Sequence, residues 1–388
     1  MNEIRKGCLS AFIVFFVFSE SCSISRLWHS EHIPPVSPPS ETFPSFTLYL
    51  LGDAGRMPEG TSQTLFDTLR MLLRRAPAQS ALIFLGDNLY PQGLDEASGM
   101  HRAALEAILK AQIALYSQYP GKVVWLAGNH DWQYGGPNGW QARLRQERFV
   151  EGLSARGNIF LPDSGCPGPL VVRLSPDLAL IVLDTQWWLH RHERPLAPCG
   201  YNKAQDFLKA IADTLQALRQ MHLVVAGHHP LYSRGPHGGA YPWQAHFFPL
   251  VEHVRWAWIP LPLLGTAYVL LRKAGYIQDL THRHYRHLRD SLAAALQRHG
   301  RALYVNGHDH SLQVIHRPPT WFLTSGAGSG TSHVVKGKAL KAAASRLGFI
   351  QIDFYPPQIL CTLYTFHPRE GCQRLTVPLQ ESSSSLSP

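Results

Sequence analysis

The chain has no apolar stretch long enough to cross a bilayer as a helix. Its two candidates are Cys8–Phe18 and the sixteen uncharged residues Trp256–Leu271, whereas a spanning helix needs about 20. Pro260, Pro262 and Gly265 count further against the second. No two of the 6 cysteines have Cys-x-x-Cys spacing, which argues against a zinc site built from them. No internal repeat is visible, so repeat architectures are excluded. No nucleic-acid-binding motif accompanies the net charge of +9; the cations are scattered, with the densest cluster at Thr281–Arg289.

What is present is enough apolar material for one large core, 45% of 388 residues with 10 tryptophans, and five short polar blocks. These are Gly52-Asp53-Ala54-Gly55, Gly86-Asp87-Asn88-Leu89-Tyr90, Gly128-Asn129-His130-Asp131, Gly227-His228-His229-Pro230 and Gly307-His308-Asp309-His310. Each follows a short apolar run, Phe46–Leu51, Ala81–Leu85, Val123–Ala127, Leu223–Ala226 and Leu303–Asn306, that reads as a buried strand. A glycine after such a strand lets the chain turn and exposes the next polar side chain at the strand's end, where α/β sheets build their sites. One Asp or His after a strand is ordinarily a turn residue. Five in the same position specify a site.

Sorted by donor type, the blocks offer two carboxylates (Asp53, Asp87), a phenol (Tyr90), an amide (Asn129) and three imidazoles (His228, His308, His310). Imidazole with carboxylate suits first-row transition metals, whereas calcium and magnesium prefer all-oxygen shells. Seven groups exceed the needs of one ion and suit two that share a carboxylate. A phenolate is a hard anionic donor that favours a trivalent ion, and only a highly charged metal would ionise a tyrosine of pKa ~10.

In these blocks the chain resembles the calcineurin-like metallophosphoesterases, and within them the purple acid phosphatase branch. Most of that superfamily begins with Asp-x-His; here position 55 is Gly, and Tyr90 stands three residues after Asp87. The resemblance implies a four-layer α-β-β-α sandwich. It places Asp53, Asp87, Tyr90 and His310 on a ferric ion and Asp87, Asn129, His228 and His308 on a divalent ion, iron, zinc or manganese. A trivalent and a divalent ion against two carboxylates, a phenolate and a hydroxide leave about +1, suited to a phosphate dianion. The implied activity is hydrolysis of phosphomonoesters by a metal-bound hydroxide. A phosphodiesterase or nucleotide hydrolase on the same scaffold is the alternative within enzymes, and a non-catalytic binding protein the alternative outside them. The resemblance also makes His130 a phosphate-binding residue and His237, nine residues after His228, the group that protonates the leaving alcohol. Asp131 is expected to orient the His130 ring, and His229 to pack rather than ligate.

Further apolar runs at Leu170–Leu174, Leu178–Leu183, Trp321–Thr324, Gly348–Phe354 and Ile359–Phe366 bring the expected strands to about ten. Amphipathic stretches at Ser62–Arg75, Met100–Tyr116, Asn202–Gln220 and Arg283–Arg298 read as covering helices. Residues 46–378 form the expected catalytic domain, with an insertion over about 238–300. Its run Trp256–Leu271, flanked by Arg255, Arg272 and Lys273, is either a buried hairpin or a lid or membrane-surface element. Trp132, Trp187 and Trp188 either line the mouth of the site or belong to the core.

Arg5 and Lys6 before Cys8–Phe18 read as an export signal over residues 1–22, placing the protein in the periplasm or outside the cell. Cys22 is an acylation candidate; a plain signal peptide and an uncleaved anchor stay open. Residues 23–45, with five prolines, read as a tether and 379–388 as a disordered tail. Of the remaining cysteines, Cys166 is expected to pair with Cys199 and Cys361 with Cys372, with four free or partly buried thiols as the alternative. The cationic surface is expected to attract anionic phosphoesters or lipid, not nucleic acid. Partner subunits leave no trace in the sequence.

Overall fold

A computed structural model describes residues 23–379, apart from 25, 32, 40–42, 253–256 and 357. The export signal, Cys22, Arg255 and Trp256 lie outside the described residues, as does the tail beyond 379. The strands are β1 (Trp28–His29), β2 (Phe46–Leu51), β3 (Ser80–Phe84), β4 (Lys122–Trp125), β5 (Leu170–Arg173), β6 (Leu178–Val182) and β7 (His222–Ala226). The second half adds β8 (Ala302–Asn306), β9 (Leu312–Arg317), β10 (Thr320–Ser325), β11 (Leu340–Ala344), β12 (Leu347–Phe354), β13 (Ile359–His367) and β14 (Gly371–Pro378). They form a six-stranded sheet, β14-β13-β12-β2-β3-β4, and an eight-stranded sheet, β1-β11-β9-β10-β8-β7-β6-β5. The helices are α1 (Thr61–Arg75), α2 (Met100–Ile113), α3 (Gly139–Leu153), α4 (Thr185–Leu189), α5 (Gln205–Ala217), α6 (Trp243–Phe247), α7 (Pro262–Gly275) and α8 (Arg283–His299).

The alternation of side chains along β2 sets the layers. Leu48 and Leu50 enter the cluster shared by the two sheets, with Ile83, Val182, Val224, Val305 and Ile350. Tyr49 and Leu51 face the other way, into the cluster beneath the helices. Both faces are covered, so the strands read as unbroken apolar runs. Helix α1 turns Leu65, Phe66, Leu69 and Leu73 inward over the six-stranded sheet, while α5 and α8 pack on each other over the eight-stranded one. The result is an α-β-β-α arrangement of a mixed α/β chain. Ser325 of β10 stitches the sheets together, donating to Leu50 O at 2.7 Å and accepting from Ile350 N at 3.1 Å.

In the parallel part of each sheet, β2, β3 and β4 run together, as do β7 and β8. All five polar blocks follow the C-terminal ends of these strands. Three come from one sheet and two from the other, and they meet at one edge of the sandwich.

Several segments differ from the sequence-based expectation. The described residues of 23–45 touch the domain instead of hanging clear: Ser23 bridges Val335, β1 pairs with β11, and Val36 N donates to Thr376 O. The run after Trp256 is not a buried hairpin, since α7 turns leucines to solvent. Cys166 and Cys199 are bonded with Cα atoms 5.5 Å apart, but Cys361 and Cys372 are free. Cys361 faces Val377 across the ladder and Cys372 faces Phe366. The five-residue offset puts the two on opposite faces about 16 Å apart, beyond any disulfide. Among the described residues no helix is long and apolar enough to cross a membrane.

Candidate metal centre

The turn after each strand aims its polar side chain into a common space, and three of these turns use the left-handed backbone, at Asp53 (φ 57°), Asp87 (φ 53°) and His308 (φ 69°). Such non-glycine residues are costly and cluster at functional sites. Asp53, Asp87, Asn129, His228 and His308 are all buried.

Two groups of donor atoms result. In one, Tyr90 Oη lies 3.1 Å from Asp53 Oδ1 and 3.0 Å from His310 Nε2, with His310 Nε2 3.4 Å from Asp53 Oδ1. In the other, Asn129 Oδ1 lies 3.1 Å from His228 Nε2 and 3.0 Å from His308 Nδ1, and the two ring nitrogens are 3.2 Å apart. Asp87 Oδ1 reaches His228 Nε2 at 3.4 Å, and Asp53, Asp87 and His228 each offer a donor within 4.8 Å of the others. Donors that share an ion at about 2.1 Å sit about 3.0–3.4 Å from one another, so both groups fit a metal.

Tautomers strengthen the fit. His228 Nδ1 faces only the carbonyl of Leu85 at 2.7 Å, and His308 Nε2 only the carbonyl of Gln278 at 2.9 Å. Each of these nitrogens must carry the hydrogen, which leaves the inward nitrogens as lone pairs facing an amide oxygen. Such a convergence of acceptors calls for positive charge. Burial opposes protonation of His228, but the carboxylate of Asp87 outweighs it and raises its pKa to about 9, so a proton takes that place when no cation does. Burial, then the charges of Asp53 and Asp87, holds the Tyr90 phenol well above its usual range. Its ionisation therefore requires a cation at the oxygen.

Gly55 explains the absence of a histidine in the first block. A Cβ there would stand 2.7 Å from Asp87 O and 2.7 Å from Leu89 N. The loop carrying Tyr90 occupies that space, and Tyr90 N donates to Gly55 O at 3.1 Å.

His130 sits at the rim. Its amide donates to Asp87 Oδ1 at 2.9 Å, and its ring packs against Tyr90 and Tyr134 with centroids 4.5 Å away in each case. Asp131 does not orient it. That carboxylate instead accepts from Gly128 N at 2.7 Å, Gln146 Nε2 at 2.8 Å and Asn88 N at 3.0 Å, clamping the second and third blocks together. Burial and the charge of Asp87 push its pKa up to about 7. The His130 ring meets Pro91 O. His229 has both ring nitrogens taken, by Thr185 Oγ1 and Gln278 Oε1 at 2.8 Å each. Trp132, Trp187 and Trp188 are buried core residues, whereas half-exposed Tyr134 forms part of the mouth.

His237 packs at a tilt against His308 with ring centroids 3.9 Å apart, and its Nδ1 lies 2.8 Å from Asp279 Oδ1. Asp279 also receives Arg272 Nε at 2.7 Å and Nη2 at 2.8 Å. Burial would raise the Asp279 pKa, but the bonds from His237 and Arg272 prevail and lower it. Gln278 and Asp279 were not identified from sequence, and Arg272 was noted only as a cation flanking the apolar run. All three belong to the insertion, and the available signal was that Glu252 and Asp279 are the only carboxylates between His237 and Asp290.

Residues 46–312 match the model of the calcineurin-like phosphoesterase family. Among solved structures, the chain is similar to GAP50, the anchor in the inner membrane complex of Plasmodium, at 16% identity over 86% of this chain and 89% of that one, with a TM-score of 0.51. It is also similar to PhoD at 10% identity over 88% and 70%, with a TM-score of 0.52. At these identities the likeness is one of fold. No curated protein matches the chain.

Proposed function

The chain belongs to the calcineurin-like phosphoesterase family, a family of metal-dependent phosphoric ester hydrolases, and from that premise we propose that it is an exported phosphomonoesterase of the purple acid phosphatase kind. The proposed ligands are Asp53, Asp87, Tyr90 and His310 for a ferric ion and Asp87, Asn129, His228 and His308 for a divalent one. The observation that carries this is Tyr90, whose oxygen lies within 3.1 Å of both Asp53 and His310, on a loop whose backbone fills the space a side chain at Gly55 would need. Such a pair of ions supplies an activated water and charge for the phosphoryl oxygens.

The protein's own groups complete the site. His130 stands at the rim to receive a phosphate oxygen. His237, held at Nδ1 by Asp279, keeps Nε2 for the leaving alkoxide, which departs poorly unless protonated. Export is supported by the residues ahead of Cys8–Phe18 and by the Cys166–Cys199 bond, since disulfides persist in oxidising compartments.

Metal analysis with a visible spectrum tests the proposal. Wild type should hold iron and show a tyrosinate charge-transfer band that Tyr90→Phe lacks, and it should cleave nitrophenyl phosphate faster than the bis-ester. Iron-free, colourless wild type after oxidation would refute the ferric centre, and faster release from the bis-ester would indicate a diesterase.

A further inference from the structure

The insertion carries a surface that catalysis does not require. Helix α7 turns Gly265 and Val269 inward, Val269 joining Tyr241 and Ala245 in a small core, while Leu263, Leu264, Leu270 and Leu271 are 60 to 87% exposed. At 100° per residue these leucines share one face with Thr266, Ala267 and Ala274, and that face holds no charge. Trp258 and Ile259, just before the helix, are also exposed. Soluble domains rarely leave so continuous an apolar face without an occupant.

Cations border it. Lys273, at the edge of the ridge, lines a cleft of about 700 Å³ together with Arg234, Arg286, Arg289 and Arg317. Asp290 is the only carboxylate among the described lining residues, and Arg289 holds it at 2.7 Å. Arg317 sits over Tyr232, its guanidinium carbon 4.1 Å from the ring centroid. The start of the described chain lies at the same place. Ile24 N donates to Val334 O at 2.7 Å, and Val335 O accepts from Arg234 Nε at 3.0 Å. Ser23 and Ile24, which follow the apolar run Cys8–Phe18 in sequence, therefore lie beside the cleft.

We propose that α7 is a membrane-docking element. Its leucine face enters the acyl region of an anionic bilayer, and the cleft beside Lys273 receives lipid phosphate headgroups. An apolar ridge bordered by cations matches the layered chemistry of such a bilayer, in which hydrocarbon lies beneath negative charge. A second copy of this chain would bring the same cations to the same border and meet repulsion there. The docking stands independently of the reaction proposed above.

The test uses the full chain with vesicles of brominated phosphatidylcholine, with or without phosphatidylglycerol, and reads tryptophan quenching. Anionic vesicles should quench a component that Trp258→Phe lacks. Leu263→Asp with Leu270→Asp should abolish that component even where residues 1–22 keep the chain on the vesicles. Lys273→Glu with Arg286→Glu should weaken it at least about tenfold on anionic vesicles only. Thermal unfolding checks the fold of each variant, and Leu263→Ser with Leu270→Ser gives the same readout should the aspartates unfold it. Sedimentation with vesicles but no quenching dependent on Trp258 would overturn the proposal. So would a dimer in solution that the leucine variants dissociate, since it would make a second copy the occupant.

Discussion

Asp279 shows how a single residue can couple an insertion to an active site. Its carboxylate is divided between His237 and Arg272, so it fixes the histidine's ring and tautomer from 42 positions away in sequence. A positioning residue of this kind costs about 10–100-fold when its bond is lost. Asp279→Asn should therefore lower kcat/KM for alkyl phosphates by that much and affect nitrophenyl phosphate less, because nitrophenolate leaves without a proton. An equal loss on both substrates would mean that Asp279 only supports the fold. At this scale the donor set was legible in the sequence, since each donor follows a strand and a glycine. The partners that set the histidines' tautomers, Leu85 O and Gln278 O, were not, because a backbone carbonyl leaves no trace in sequence. Asp131 was misassigned for a related reason. Adjacency to His130 suggested contact, but the turn aims its side chain into the loops, where five donor atoms converge on it.

Among the elements, those whose buried face is apolar were readable. Helices α1 and α8 agree with the sequence expectation to within a residue at each end. Helix α3 was missed because it buries Arg143, Gln146 and Glu147 alongside Ala142 and Val150, which removes the apolar period. Strands β9, β11 and β14 were missed for similar reasons: β9 buries Gln313 and His316, β11 is largely alanine, and β14 is a polar edge. The Cys166–Cys199 bond closes a loop with a sequence separation of 33, spanning β5, β6 and α4. A loop of that length is worth about 3–4 kcal/mol by chain entropy. Reduction, or Cys166→Ser with Cys199→Ser, should lower unfolding stability by about that amount in denaturant titrations. Unchanged stability would show that packing alone holds the loop.

For the whole molecule, the centre is a junction between the two sheets. Asp53, Asp87, Tyr90 and Asn129 follow strands of the six-stranded sheet, and His228, His308 and His310 follow strands of the other. Ions bound there would join the layers, so their removal should destabilise the whole domain. Metal at 100 times its Kd adds about 2.7 kcal/mol. Calorimetry should therefore show a lower unfolding midpoint after chelation, restored by adding metal back. An unchanged midpoint would mean that the donors do not bind ions in the folded state.

The sequence by itself determined the strands that carry the donors, the position of the donors after them and the family, because strand burial and donor chemistry are properties of short segments. Only the tertiary structure decided that Gly55 yields its space to the Tyr90 loop, that Cys361 and Cys372 lie on opposite faces of a sheet, and that α7 turns its leucines outward while Arg272 and Asp279 reach the site. Those outcomes depend on the register and packing of segments far apart in the chain, and no local pattern encodes them.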